Sequence, residues 1–207
     1  MDRRSFVLGS LGLTISATAH AAQTGMGNPT PQGTPQRVWV QNPPLVRQDC
    51  PEWCWAASIS MIFAAHGHLV PQEVIVQRVF GGLVCAAAPN GLTMAQALSG
   101  SWTDARGVTF QSHVVAAYDQ MAGVNAINNN FIVNELSNDR PLLYANTHHA
   151  MVLTAVDYFA TPMGPNVVAA GVLDPWPASP AFHPLSPPEV FPAFSGGQMM
   201  FLAAVHI

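Results

Sequence analysis

The character of the chain changes at Arg140, and that change limits the fold more than any other feature. Before it lie segments with helical spacing. After it come four short apolar runs, PLLYAN (141–146), HAMVLTAVDY (149–158), NVVAAGVLD (166–174) and QMMFLAAVHI (198–207). Glycine and proline clusters separate most of these runs. Parallel strands need long crossover connections, which are absent here, so the runs are expected to form a largely antiparallel sheet. Helices first and strands second is the α+β pattern.

In the first half, CWAASISMIFAA (54–65) is rich in alanine and methionine, and Gly67 stands where a C-terminal cap belongs. The segment is apolar on nearly every side, so it reads as a buried central helix. Pro51 and Glu52 precede it, as helix starts favour. PQEVIVQRVF (71–80) reads as a second helix, TMAQALSG (93–100) as a third closed by Gly100, and NNNFIVNELSNDR (128–140) as a fourth. RVWVQ (37–41) alternates like a short strand, and VTFQSHVV (108–115) is a further strand candidate.

A length of 207 residues suits one domain. MDRRSFVLGSLGLTISATAHAAQ has the form of a secretory signal, residues 1–21, with the cut expected after Ala21. Arg3-Arg4 followed by Ser5-Phe6 resembles a twin-arginine signal. The expectation is therefore an exported protein, periplasmic or secreted. Residues 22–36 are Gly, Pro, Thr and Gln with little to bury, the composition of a disordered leader. The folded domain is expected over 37–207. No apolar run of membrane-spanning length follows the N-terminus. Charged residues are only 9%, the net charge is -4, and no basic stripe is present, which argues against nucleic-acid partners.

The three cysteines are Cys50, Cys54 and Cys85. In an oxidising compartment two pair and one is left over, and Cys50–Cys85, Cys54–Cys85 and Cys50–Cys54 are all open. Cys54 begins the central helix, where unpaired amides and the helix dipole favour a thiolate. A nucleophilic cysteine also needs a base. Gln48, in the loop before the helix, is placed to join the Cys54 backbone N–H as an oxyanion donor.

Of eight histidines, His149 opens an apolar strand, where an imidazole is rigidly aimed. His148 is expected on the opposite face. His66 and His68 flank Gly67, where a cation suits a helix C-terminus, and they lack a third metal ligand. His113, His183 and His206 are isolated and read as surface or core residues. Asp174, in VLDPWP at the end of the next strand, is the candidate to orient His149. An Asp-Pro pair is also a plain turn signal. Asp157, Asn146 and Asn166 are rivals.

QxxxxxCWAA (from Gln48), then HAMVL, then DPW resembles the papain-like cysteine peptidases, and more narrowly the bacterial branch with the AvrRpt2-type (C70) and C39-like families. The resemblance implies a papain-like α+β fold, with the cysteine helix in an N-terminal helical half and an antiparallel sheet in the C-terminal half. It implies Gln48 as oxyanion donor, Cys54 as nucleophile, His149 as general base and acid, and Asp174 as orienter. With Cys54 so assigned, Cys50–Cys85 is the expected disulfide. Trp53 and Trp55 become candidates for substrate contact, and Trp176 for shielding the triad. The implied substrate is a peptide or protein, and no metal or organic cofactor is required. Papain's glycine before the cysteine is replaced by Trp53, and no transporter accompanies the chain, so neither papain's preferences nor double-glycine cleavage carry over. A related amidase or transglutaminase-type enzyme, and a non-catalytic binding module of the same fold, are the alternatives.

Overall fold

The computed structural model describes residues 33–207, so the expected signal and most of the leader lie outside the described residues. In chain order the elements are β1 (Gln36–Trp39), α1 (Cys54–Ala65), α2 (Gln72–Phe80), α3 (Gly91–Ala97), β2 (Gly100–Thr103), β3 (Thr109–Asp119), β4 (Val124–Asn125), α4 (Asn129–Ser137), β5 (Leu142–Ala145), β6 (Ala150–Thr161), β7 (Gly164–Leu173), β8 (Phe182–Pro184), α5 (Pro187–Val190) and β9 (Phe201–His206), with a single 3-10 turn at Ala193–Ser195. The fold is α+β, as expected.

The strands form one sheet in the order β2-β3-β9-β5-β6-β7-β8, with β1 on β6 and β4 on β3. Every pair of strands is antiparallel. β6 is the spine. Its first half pairs with β5 and its second with β1, while β7 runs along it from Val152↔Leu173 to Thr161↔Gly164.

The apolar runs are continuous because the central strands are covered on both faces. Leu143, Ala145, Val152 and Ala203 pack under α1. Leu142, Tyr144, Leu153 and Leu202, alternating with them, pack on the other face with Ile132 and Leu136 of α4. So α4 belongs to the layer opposite α1.

Local chemistry sets the helix ends. α1 stops at Gly67, whose φ of 86° is the left-handed conformation that favours glycine. Asn90 caps α3 through the Thr93 amide at 2.9 Å, so that helix starts two residues before the expected Thr93. Gly100 does not cap it: Leu98 ends the helix and Gly100 opens β2. β1 starts at Gln36, the last residue assigned to the leader, because Gln36 pairs with Tyr158.

Candidate active site

Cys54 is the first residue of α1. No side chain caps this end, and no acidic residue sits in its first turn. The amide of Trp53 donates to Cys50 O (3.0 Å) and that of Ala57 to Trp53 O (2.9 Å). Cys54 itself is a free, half-buried thiol. One turn along the same helix face, Ser58 Oγ donates to Ala150 O at 3.1 Å. That buried bond locks the cysteine helix to the start of β6, beside His149.

His149 sits in a tight turn just before β6. The Asn146 side-chain oxygen accepts from the amides of His148 and His149, both at 2.8 Å. Asn146 is held in turn by Glu189 Oε1 at 2.9 Å. Because the two histidines lie in a turn, strand alternation does not govern them, and both line the cleft in front of Cys54.

Asp174 follows β7 directly, and the β6–β7 register brings it beside His149, with Nε2 to Oδ1 at 2.7 Å. Cys54 and His149 line the same cleft. Burial alone would lower the His149 pKa, but the bond to Asp174 and the neighbouring Cys54 side chain overcome it and raise it to about 9. The Asp174 carboxyl is opposed by its own burial, yet His149 and the Trp176 amide (2.8 Å) hold it well below the usual carboxylate range.

Asp174 has a second imidazole partner. His183 Nε2 lies 3.2 Å from Oδ2, and His183 is carried there by β8, which pairs Val172↔His183. The loop after Asp174 is clamped from the other side by Arg47. Its Nη1 donates to the carbonyls of Asp174 (3.1 Å), Trp176 (2.6 Å) and Ser179 (3.2 Å). The Gln48 amide adds a bond to Pro175 O at 2.9 Å.

The Gln48 side chain is buried, and its Nε2 donates both hydrogens inward, to Cys50 O (2.9 Å) and Pro51 O (2.8 Å). It braces the turn that leads into α1, and neither amide hydrogen faces the cleft in this arrangement. Cys50 is bonded to Cys85, with Cα atoms 5.9 Å apart. The indole N–H of Trp53 donates to Val84 O (2.7 Å) and that of Trp55 to Ala86 O (3.1 Å). Residues 84–86 are thus fastened at three successive positions to the start of the cysteine helix. They lead into residues 87–91, which form one wall of the cleft. Trp55 reaches the cleft lining and Trp53 does not. Trp176 is 41% exposed and acts on Asp174 through its backbone amide.

The rival carboxylate Asp157 is engaged elsewhere, by Arg37 Nη2 at 2.7 Å. Asn166 pairs with Phe159 far along the β6–β7 ladder. Asn146 orders the histidine turn instead of the imidazole. Three histidines set aside as isolated or capping have partners: His183 on Asp174, His206 Nε2 on Glu135 at 3.0 Å, and His68 on Asp104 at 3.1 Å. Burial lowers the pKa of His66, so it is not the helix-end cation expected. Ser58, Arg47 and His183 brace Cys54, His149 and Asp174 without having been singled out, and Asn146, weighed as an orienter of the imidazole, braces the histidine turn. For Ser58 a signal existed, since it is a polar residue at i+4 from Cys54 in a helix whose only other polar side chain past Cys54 is Ser60.

The family model for papain-like cysteine protease AvrRpt2 (peptidase C70) matches residues 38–183, a span that holds Gln48, Cys54, His149 and Asp174. Among solved structures, a double glycine motif protease from an AMS/PCAT transporter, in complex with its leader peptide, is similar at 17% identity and a TM-score of 0.44, covering 82% of this chain and 98% of that one. No curated protein sequence matches.

Proposed function

The chain belongs to the AvrRpt2-type papain-like cysteine protease family, and from that premise we propose that it is an exported peptidase using Cys54, His149 and Asp174. The observation that carries this reading is the imidazole of His149, set between the Asp174 carboxylate and the Cys54 side chain with its pKa raised to about 9. A proton held that firmly on the imidazole favours a thiolate–imidazolium pair at neutral pH.

In this mechanism the Cys54 proton resides on His149 and the sulfur attacks the scissile carbonyl carbon. The tetrahedral oxyanion is held at the N-terminus of α1, which no side chain caps, with the Cys54 N–H as donor. Gln48 contributes a second donor by giving up its bond to Cys50 O or Pro51 O, a cost of about 1 kcal/mol. His149 then protonates the departing amine, leaving a thioester on Cys54. A water, deprotonated by His149, attacks that thioester and releases the acid and the thiolate. Asp174 holds the imidazole orientation throughout, and Arg47 and His183 hold Asp174.

Export is supported by the signal-like residues 1–21 and by the Cys50–Cys85 bond, which suits an oxidising compartment. The test of the catalytic reading is wild type beside Cys54→Ala on a broad peptide mixture, with and without a thiol alkylator. Cleavage by wild type alone, abolished by alkylation, is the expected result. Equal cleavage by both proteins, or by neither, contradicts it. N-terminal sequencing of the exported protein tests the cut after Ala21.

A further inference from the structure

We infer that the cleft selects a basic side chain, arginine or lysine, in its substrate, and that Asp119 is the residue that reads it. This rests on the peptidase reading above and names its substrate class.

Asp119 ends β3 and is only 5% exposed, yet it lines the same cleft as Cys54 and His149, which encloses about 270 Å³. Its Oδ1 accepts the amides of Met121 (2.9 Å) and Ala122 (3.0 Å). Its Oδ2 has no hydrogen-bond partner among the described residues, and it is not among their sealed, unpartnered atoms, so it opens on the cleft. No lysine or arginine lines the cleft to neutralise it. A carboxylate oxygen kept free at the edge of a buried site is costly unless a cation or donor arrives to pair with it.

The neighbourhood suits a long cationic side chain. Met94, Ala145, Met200 and Phe201 give apolar walls for a methylene stem, while the charged head meets Asp119. Gly91 forms the flank: a Cβ there would collide with Asp119 Oδ2 and with Phe201. Only glycine leaves this oxygen uncovered.

Reach is set by the sheet. Asp119↔Phe201, Phe201↔Ala145 and Ala145↔Ala150 are register partners, so four residues stand in line across β3, β9, β5 and β6. Three strand spacings put Asp119 about 14 Å from Ala150, the neighbour of His149. Two residues of extended peptide cover about 7 Å of that distance, and a long side chain covers the rest. The basic residue is therefore expected about two positions from the cleaved bond.

The test starts from the best-cut peptide of a mixed library. It is remade with arginine, or with its neutral isostere citrulline, at each of three positions on either side of the cleaved bond. At one position wild type should prefer arginine by about tenfold or more in kcat/KM. In Asp119→Asn that ratio should collapse towards unity with Tm unchanged, because the asparagine Oδ1 keeps both turn bonds. Equal rates on all wild-type pairs overturn the proposal, as does a preference that survives in Asp119→Asn. Binding of the same pairs to Cys54→Ala separates the two claims. Tighter binding of the arginine peptide without cleavage by wild type sinks the peptidase reading and keeps the Asp119 site. Cleavage without a preference does the reverse.

Discussion

His149 Nε2 and Asp174 Oδ1 meet at 2.7 Å, although 25 residues and a full hairpin separate them. The contact exists because β6 starts where β7 ends, so the residues just outside the two strands face each other. The raised His149 pKa sets an alkaline limit: kcat/KM should fall above about pH 9 as the imidazolium loses its proton. Asp174→Asn removes the charge that supports the proton, so that limit should move to lower pH, with kcat down by about 10²- to 10⁴-fold. A pH–rate profile of the two proteins checks both statements.

The same shifts make the fold pH-sensitive, with opposite signs. His149 is raised from 6.5, so its stabilising share is complete below that pH and lost as pH rises through about 9. Asp174 is lowered from 3.8, so its share is present above that pH and lost on acidification. Tm measured against pH should fall at both ends, and the alkaline fall should shrink in His149→Ala.

His183 is a positioning residue for Asp174. Its Nε2 meets Oδ2 at 3.2 Å while Nδ1 lies 3.1 Å from Pro184 O, so both ring nitrogens face acceptors and the ring is held from two sides. His183→Phe should lower kcat by about tenfold with KM little changed, and should move the alkaline limit in the same direction as Asp174→Asn but less far. An unchanged pH profile would make His183 a bystander.

Ser58→Ala deletes the bond that docks the cysteine helix on Ala150 O. The orphaned carbonyl should cost about 1–3 kcal/mol, read as a Tm lower by roughly 2–10 °C. Because that bond fixes the spacing of Cys54 and His149, kcat should fall as well, which a purely structural loss would not require.

Removing the Cys50–Cys85 bond by paired serine substitutions opens a loop of sequence separation 35. The chain-entropy model gives a loss of about 3–4 kcal/mol. Trp53 and Trp55 still hold residues 84 and 86, so the cleft wall should stay attached and denaturant unfolding should show the loss more clearly than KM does.

The sequence displays Cys54, His149 and Asp174 because each stands at the end of a strongly patterned element, and ends are where side chains escape the core. The partners that hold them are harder to read. His183 lies on a three-residue strand after a proline-rich loop, too short to show alternation. Arg47 acts through three backbone carbonyls, which leave no mark on residue identity. Asp119 is missed because the strand read over 108–115 continues to 119. A register shift between Val114 and Ala116 breaks the period-two pattern just where the reading stops. Gln48 is in the expected loop, but its side-chain direction depends on the turn carbonyls at Cys50 and Pro51, which sequence spacing does not describe.

The central claim is that Cys54 forms the acyl-enzyme, and intact-mass spectrometry of an acid-quenched reaction with a cleaved peptide ester tests it most directly. One acyl equivalent, mapped to Cys54 and absent from both Cys54→Ala and His149→Ala, is the predicted result. Product formation with no adduct on Cys54, or an adduct that persists in Cys54→Ala, would contradict it.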